Sequence, residues 1–186
     1  MKYLSHLAII LGVTLFMGIK GSAQSKYNLG LGYFAESTIS PGLVIELERE
    51  RFHSDQLSIP IQLDLLGFLN KEYNALAVEL KTGYRKYFNS GLFIEQNIGV
   101  GYQFTKYKSD MWYIDKYAFS VPHGNTLIPW FAASTSVGLG YNLSHKEGTQ
   151  HLIWLRPKLI WLPGFRGIEL PYHAFQIGYT FNIKNK

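Results

Sequence analysis

Apolar and polar residues alternate one by one along most of this chain. Near the C-terminus, Phe175, Ile177, Tyr179, Phe181 and Ile183 interleave with Ala174, Gln176, Gly178, Thr180 and Asn182. Period-two patterning this strict marks a β-strand with one face in an oily medium and the other in a polar or crowded one. From Leu92, a second stretch sets Leu92, Ile94, Ile98, Val100, Tyr102 and Phe104 against Glu95, Asn97, Gly99, Gly101, Gln103 and Thr105. Tyr27–Tyr33, Leu57–Leu65 and Phe131–Tyr141 repeat the pattern. Three further segments are less regular. Leu43–Phe52 alternates Leu43, Ile45 and Leu47 with Glu46, Glu48 and Glu50; Ala75–Phe88 alternates Leu76, Val78 and Leu80 with Glu79, Lys81 and Arg85. Ile153–Trp161 sets Ile153, Leu155 and Leu159 against Arg156 and Lys158. The first half of the Ala75 segment also fits a helix, because Tyr73, Leu76, Ala77 and Leu80 share a 3.6-residue face. The pattern predicts an all-β chain of eight antiparallel strands.

Eight alternating strands close into either of two barrels. A soluble lipocalin-like carrier turns its large apolar face inward and its charges outward. A transmembrane up-and-down barrel does the reverse. The glycines separate the two. Gly30, Gly32, Gly83, Gly99, Gly101, Gly138, Gly140 and Gly178 all fall on the polar face. On a solvent-facing surface they would only weaken the strands, whereas inside a narrow barrel they make room for long charged side chains. The transmembrane barrel is the expectation. Its links at the end bearing the termini are His53–Gln56, Asn89–Gly91 and Ser144–Gln150; those at the other end are Ser37–Gly42, Gly67–Asn74, Lys106–Thr126 and Pro163–Pro171. Prolines test the scheme, since each removes a ladder donor. Pro129 can open its strand, while Pro60 and Pro157 are each expected to require a bulge.

Composition and charge refine this picture. Lys2 followed by the apolar run Leu7–Ile19 and the small residues Gly21-Ser22-Ala23 read as an export signal, too short to span a bilayer as a helix. Residues 1–23 are therefore expected to be removed, leaving a 24–186 barrel domain that begins at Gln24. Loss of Lys2 and Lys20 reduces 18 basic residues to sixteen against 13 acidic ones. An excess this small lacks the concentrated basic stripe of a nucleic-acid binder. Cysteine is absent, which excludes a disulfide framework and a thiolate metal site. His123, His145 and His151 have no metal-ligand spacing with a carboxylate partner. No cofactor is indicated.

The repeated Gly-x-Gly-Tyr of Gly30–Tyr33, Gly99–Tyr102 and Gly138–Tyr141, with the closing Gln176-Ile177-Gly178-Tyr179-Thr180-Phe181, resembles the small eight-stranded outer-membrane β-barrel proteins. The Ala23-Gln24 junction resembles signal cleavage in the Bacteroidetes group. The resemblance implies an outer-membrane location, contact with lipid and lipopolysaccharide, insertion by the barrel-assembly machinery, and a monomer. It departs at the end, where Asn182–Lys186 follow Phe181.

Nine charges are predicted to point inward: Glu46, Glu48, Glu50, Glu79, Lys81, Arg85, Glu95, Arg156 and Lys158. Eight strands leave an interior just wide enough for side chains, and buried charges persist when paired. A self-neutralising plug of five acids and four bases is expected rather than a pore. The connection Lys106–Thr126 carries Tyr107, Trp112, Tyr113 and Tyr117 among charged residues, a composition suited to partner contact. Some barrels of this size and class are lipid A deacylases or acyltransferases, which makes a lipid-modifying enzyme the alternative. The deacylase pattern places His and Ser two apart on one strand face with a Glu to orient the imidazole. Here His173 is followed at that spacing by Phe175, leaving Ser37 and Glu169, at neighbouring strand tops, as the remaining candidates.

Overall fold

Alternation as strict as this leaves every strand with one face that must avoid water, and closing the sheet satisfies all eight at once. The computed structural model describes residues 25–36, 40–54, 56–71, 73–108, 127–144, 151–163 and 171–183. They form β1 (Ser25–Glu36), β2 (Ser40–Phe52), β3 (Leu57–Leu69), β4 (Tyr73–Tyr87), β5 (Leu92–Tyr107), β6 (Ile128–Asn142), β7 (His151–Trp161) and β8 (Tyr172–Asn182). Each strand pairs antiparallel with the next, and β8 returns to β1 to close the barrel. No helix occurs among the described residues. The helical alternative for Tyr73–Leu80 is thereby excluded, since this segment pairs with both β3 and β5 along its length.

The strands run from 11 to 16 residues, beyond the ~9–11 that a tilted strand needs to cross a bilayer. They also extend past the expected boundaries. Ser40–Gly42, Gly67–Leu69, Tyr73–Asn74 and Lys106–Tyr107, read from sequence as connections, are paired strand residues. The turn joining β4 to β5 is tight, and Gly91 takes a positive φ of 88° there, a conformation that a side chain resists.

The barrel is inside out relative to a soluble one. Leu43, Ile98, Val137 and Leu139 stand exposed on its outer wall, while Glu46, Glu50, Arg85 and Arg156 are completely buried within it. An exposed apolar belt around a charged interior has its low-energy medium in lipid, which excludes the soluble carrier. This is a transmembrane barrel.

Pro60 and Pro157 are accommodated without the expected bulges. Pro60 stays paired with Glu50 of β2, but the β3–β4 ladder passes from Ser58↔Arg85 to Ile61↔Thr82. Pro157 stays paired with Phe175 of β8, while the β6–β7 ladder passes from Ser136↔Lys158 to Leu139↔Leu155. In both places the register is continuous across the gap. Each proline loses rungs on one side only, and the closed sheet holds the strand in place from the other. Pro129, the second residue of β6, opens its strand.

Candidate functional site

Several inward glycines face large inward side chains across strand pairs. Gly30 is opposite Glu46, Gly99 opposite Lys81, and Gly138 opposite Glu95. Gly140 lies opposite Phe93 on one side and Trp154 on the other, and Gly178 opposite Trp154. A Cβ added at Gly178 would come within 2.5 Å of the Trp154 ring, and one at Gly138 within 2.7 Å of Glu95 Cγ. The glycine face is a set of sockets for the large side chains of adjoining strands.

Through these sockets the charged residues form two groups, the larger a continuous chain from Glu50 to Asp64. Arg85 donates from Nη1 and Nη2 to both oxygens of Glu48 at 3.0 and 2.6 Å, and from Nε and Nη2 to Glu95 Oε2 at 2.9 and 2.8 Å. Its Nη1 also lies 3.2 Å from Glu50. Glu95 in turn accepts from Arg156, which pairs with Glu46. Lys81 links Glu46 at 3.5 Å to Asp64 at 2.6 Å. A second group joins Lys158 and the Ser134 hydroxyl to Glu79. Neutral donors complete the shell: Asn28 and Gln62 donate to Glu48 at 2.8 and 2.7 Å, and Tyr87 donates to Glu50 at 2.7 Å. Bidentate guanidinium–carboxylate geometry backed by neutral donors is what lets such charges leave water, although Glu50 Oε2 and Asp64 Oδ1 are buried without a hydrogen bond.

All nine predicted inward charges lie in these two groups. The tally of five acids and four bases is corrected by Asp64, which lies on the same face, is fully buried and pairs with Lys81. Glu36, buried near the end of β1, adds a further inward acid, accepting from the Tyr73 hydroxyl at 2.6 and 2.8 Å. The inward acids thus outnumber the four fully enclosed bases, and neutral donors rather than one-to-one ion pairs make up the difference.

Apolar layers lie above and below the charges. Toward the end away from the termini, Phe34 and Phe68 meet at a tilt with centroids 5.2 Å apart, Phe68 meets Tyr73 edge-on at 6.2 Å, and Tyr73 meets Tyr107 at 6.0 Å. Leu66 and Ile160 are buried in the same interior cluster. At the other end Phe52 stacks on Tyr87, which meets Phe93 at a tilt, and the Arg156 guanidinium lies 4.0 Å over the Trp154 ring. Sequence reasoning missed these layers because they sit in apolar runs such as Leu152–Leu155, where both faces are apolar and parity alone does not single out an inner aromatic layer. Tyr107, assigned from sequence to the long connection, is instead the last residue of β5 and faces inward. Trp112, Tyr113 and Tyr117 lie outside the described residues, as do Ser37 and Glu169. His173 is exposed on the outer wall near the start of β8. Among the described residues no group of His and carboxylate side chains is arranged to hold a metal ion.

No protein-family profile matches the chain, and no curated protein sequence does. Solved structures do. Ail, the attachment invasion locus protein of Yersinia pestis, solved in complex with the heparin analogue sucrose octasulfate, superposes with a TM-score of 0.55 at 11% identity, over 88% of this chain and 100% of that one. The fold is that of the small outer-membrane β-barrels. The outer-membrane enzyme PagL matches with a TM-score of 0.51 at 10% identity, over 84% of this chain and 99% of PagL. Neisserial surface protein A matches with a TM-score of 0.50 at 8% identity, over 87% of this chain and 96% of its own chain. Identities this low speak to architecture alone.

Proposed function

We propose that this protein is a closed, non-conducting barrel of the outer membrane that acts through its external connections, with both termini in the periplasm. The observation that carries the reading is the filled lumen. Ion-paired side chains occupy the middle of the barrel and aromatic layers lie toward both ends, so no continuous water column is left for a solute to follow. With the interior committed to holding the wall together, the surface available for work is the set of connections on the side away from the termini. The longest of these, 108–127, combines Trp112, Tyr113 and Tyr117 with Lys108, Asp110, Asp115 and Lys116, the aromatic and charged mixture that partner surfaces favour. Attachment is a role this architecture carries elsewhere, as the name of the Yersinia protein records.

The test is electrical. Purified protein in planar bilayers is expected to give no steady single-channel current, whereas wild-type currents whose ion selectivity changes in Arg85→Ala would make the lumen a channel and end the proposal. Mass spectrometry of lipid A from cells with and without the protein addresses the enzymatic alternative. The expected result is an unchanged acyl count, and a lost or gained chain would replace the contact role with lipid modification.

A further inference from the structure

The two prolines that interrupt the ladder leave different marks on the wall. At Pro60 the Thr82 hydroxyl donates to the proline's carbonyl at 3.1 Å and ties β3 to β4 beside the missing rungs. At Pro157 a trough of about 540 Å³ lies over the interruption, in the half of the wall nearer the 162–171 connection. Ala35 and Pro157 are its small residues, Val137, Leu159 and Phe175 its large apolar ones, and His173 stands at the end farther from the termini. These residues of β1, β6, β7 and β8 occupy outward-facing positions, so the trough opens into the exposed apolar belt.

What fills such a recess follows from its surroundings. It is continuous with the face that meets hydrocarbon, so the medium reaching it is lipid rather than water. Its volume lies within the ~300–1,000 Å³ of small-molecule sites, and its lining is apolar apart from Thr135, Ser136, Lys158 and His173. The Lys158 ammonium is turned to Glu79. The outer wall of a second barrel is convex and cannot enter the recess. A slender, flexible chain can. We propose that the trough seats one acyl chain of a bilayer lipid, its ester end toward the hydrogen-bonding imidazole of His173 and its methylenes along Leu159, Phe175 and Val137. The Pro157 interruption is then a fixed lipid site in an otherwise interchangeable annulus. The inference rests on the transmembrane barrel and holds whether or not the lumen conducts; the periplasmic placement of the termini only assigns the site to the outer leaflet.

The mature protein would be reconstituted in dimyristoylphosphatidylcholine vesicles containing a phosphatidylcholine with a diazirine at mid-chain, irradiated, and mapped by peptide mass spectrometry. Adducts on Val137, Leu159 and Phe175 are expected to exceed those on the belt residues Ile98 and Val100 about tenfold, the ratio that a preference of about 1.4 kcal/mol gives. Val137→Trp, which fills the recess, should bring labelling there down to the belt level, with folding checked by the gel mobility of unheated samples. Leu159→Trp serves the same purpose should the first variant fail to fold, and the wild-type map decides the matter alone if both do. Even labelling around the belt, an excess that survives either substitution in folded protein, or cross-links between two copies of the barrel in place of lipid adducts would each overturn the proposal.

Discussion

Replacing Arg85 by alanine removes the most connected cation in the barrel. Its guanidinium serves Glu48, Glu50 and Glu95 at 2.6–3.2 Å, with no exposure to solvent. Breaking a buried ion pair from one side costs about 3–5 kcal/mol, because the abandoned charge has no water to return to. Here three carboxylates are abandoned, but each keeps another donor: Asn28 and Gln62 for Glu48, Ser58 and Tyr87 for Glu50, Arg156 for Glu95. That backing argues for the lower end of the range, about 3 kcal/mol, or a loss of about two decades in the folding equilibrium constant. The assay is equilibrium unfolding in urea on lipid vesicles, followed by tryptophan fluorescence. Arg85→Ala should lower the midpoint strongly, and Glu48→Gln made on top of it should restore part of the loss, since one unpaired charge then disappears. The non-additivity of the pair should fall at about 0.5–3 kcal/mol. A loss under about 0.5 kcal/mol, the level of an ordinary surface change, would refute the reasoning and mean that water reaches these groups.

Three further outcomes are expected. Val100→Arg, at the middle of β5 on the lipid face, should cost about 2–4 kcal/mol in folding assays in lipid, while Ser90→Arg in the β4–β5 turn should stay within about 0.5 kcal/mol; equal tolerance would reverse the inside–outside assignment. Gly178→Ala drives a methyl into the Trp154 ring and should destabilise by about 1–3 kcal/mol, whereas Gly67→Ala, where an added Cβ meets nothing within 4 Å, should be neutral or stabilising by up to about 1 kcal/mol; unfolding midpoints of the two separate them. N-terminal sequencing of protein recovered from the envelope should begin at Gln24, and retention of residues 1–23 would dismiss the export signal.

Much of the architecture was legible because one physical variable, inside against outside, is written at every second residue. Glu46, Glu48 and Glu50 among Leu43, Ile45 and Leu47 could face opposite ways only on a strand, and the glycines sharing the charged face decided which side was the narrow one. The aromatic layers were not legible. In runs such as Leu152-Ile153-Trp154-Leu155 both faces are apolar, so parity with Arg156 puts Trp154 inward but nothing marks it as part of a packed layer until the neighbouring strand sets Gly178 opposite it. Asp64 sat on the correct face, but a single carboxylate among Leu63, Leu65 and Leu66 does not announce its partner on another strand. The prolines misled because a bulge is the remedy of an open edge. In a closed sheet the strand stays anchored by its second neighbour, and register survives the loss of rungs.

The sockets opposite the large inward side chains have a consequence for how the strands find their partners. Sliding one strand by a single residue turns its lipid face inward and is strongly opposed. Sliding it by two residues preserves every inside and outside assignment, so alternation alone is blind to that error. Size is not blind to it. Moved two places along β8, Trp154 would confront Gln176 or Thr180 in place of Gly178, and the same slip between β5 and β6 would set Phe93 against Asn142 in one direction or Glu95 against Ser136 in the other, so one of the two loses its glycine either way. The pairing of bulk with vacancy thus acts as a vernier on a scale that alternation marks only in even steps. Changes at these glycines are therefore expected to yield misaligned barrels that still insert, a failure distinct from simple loss of stability.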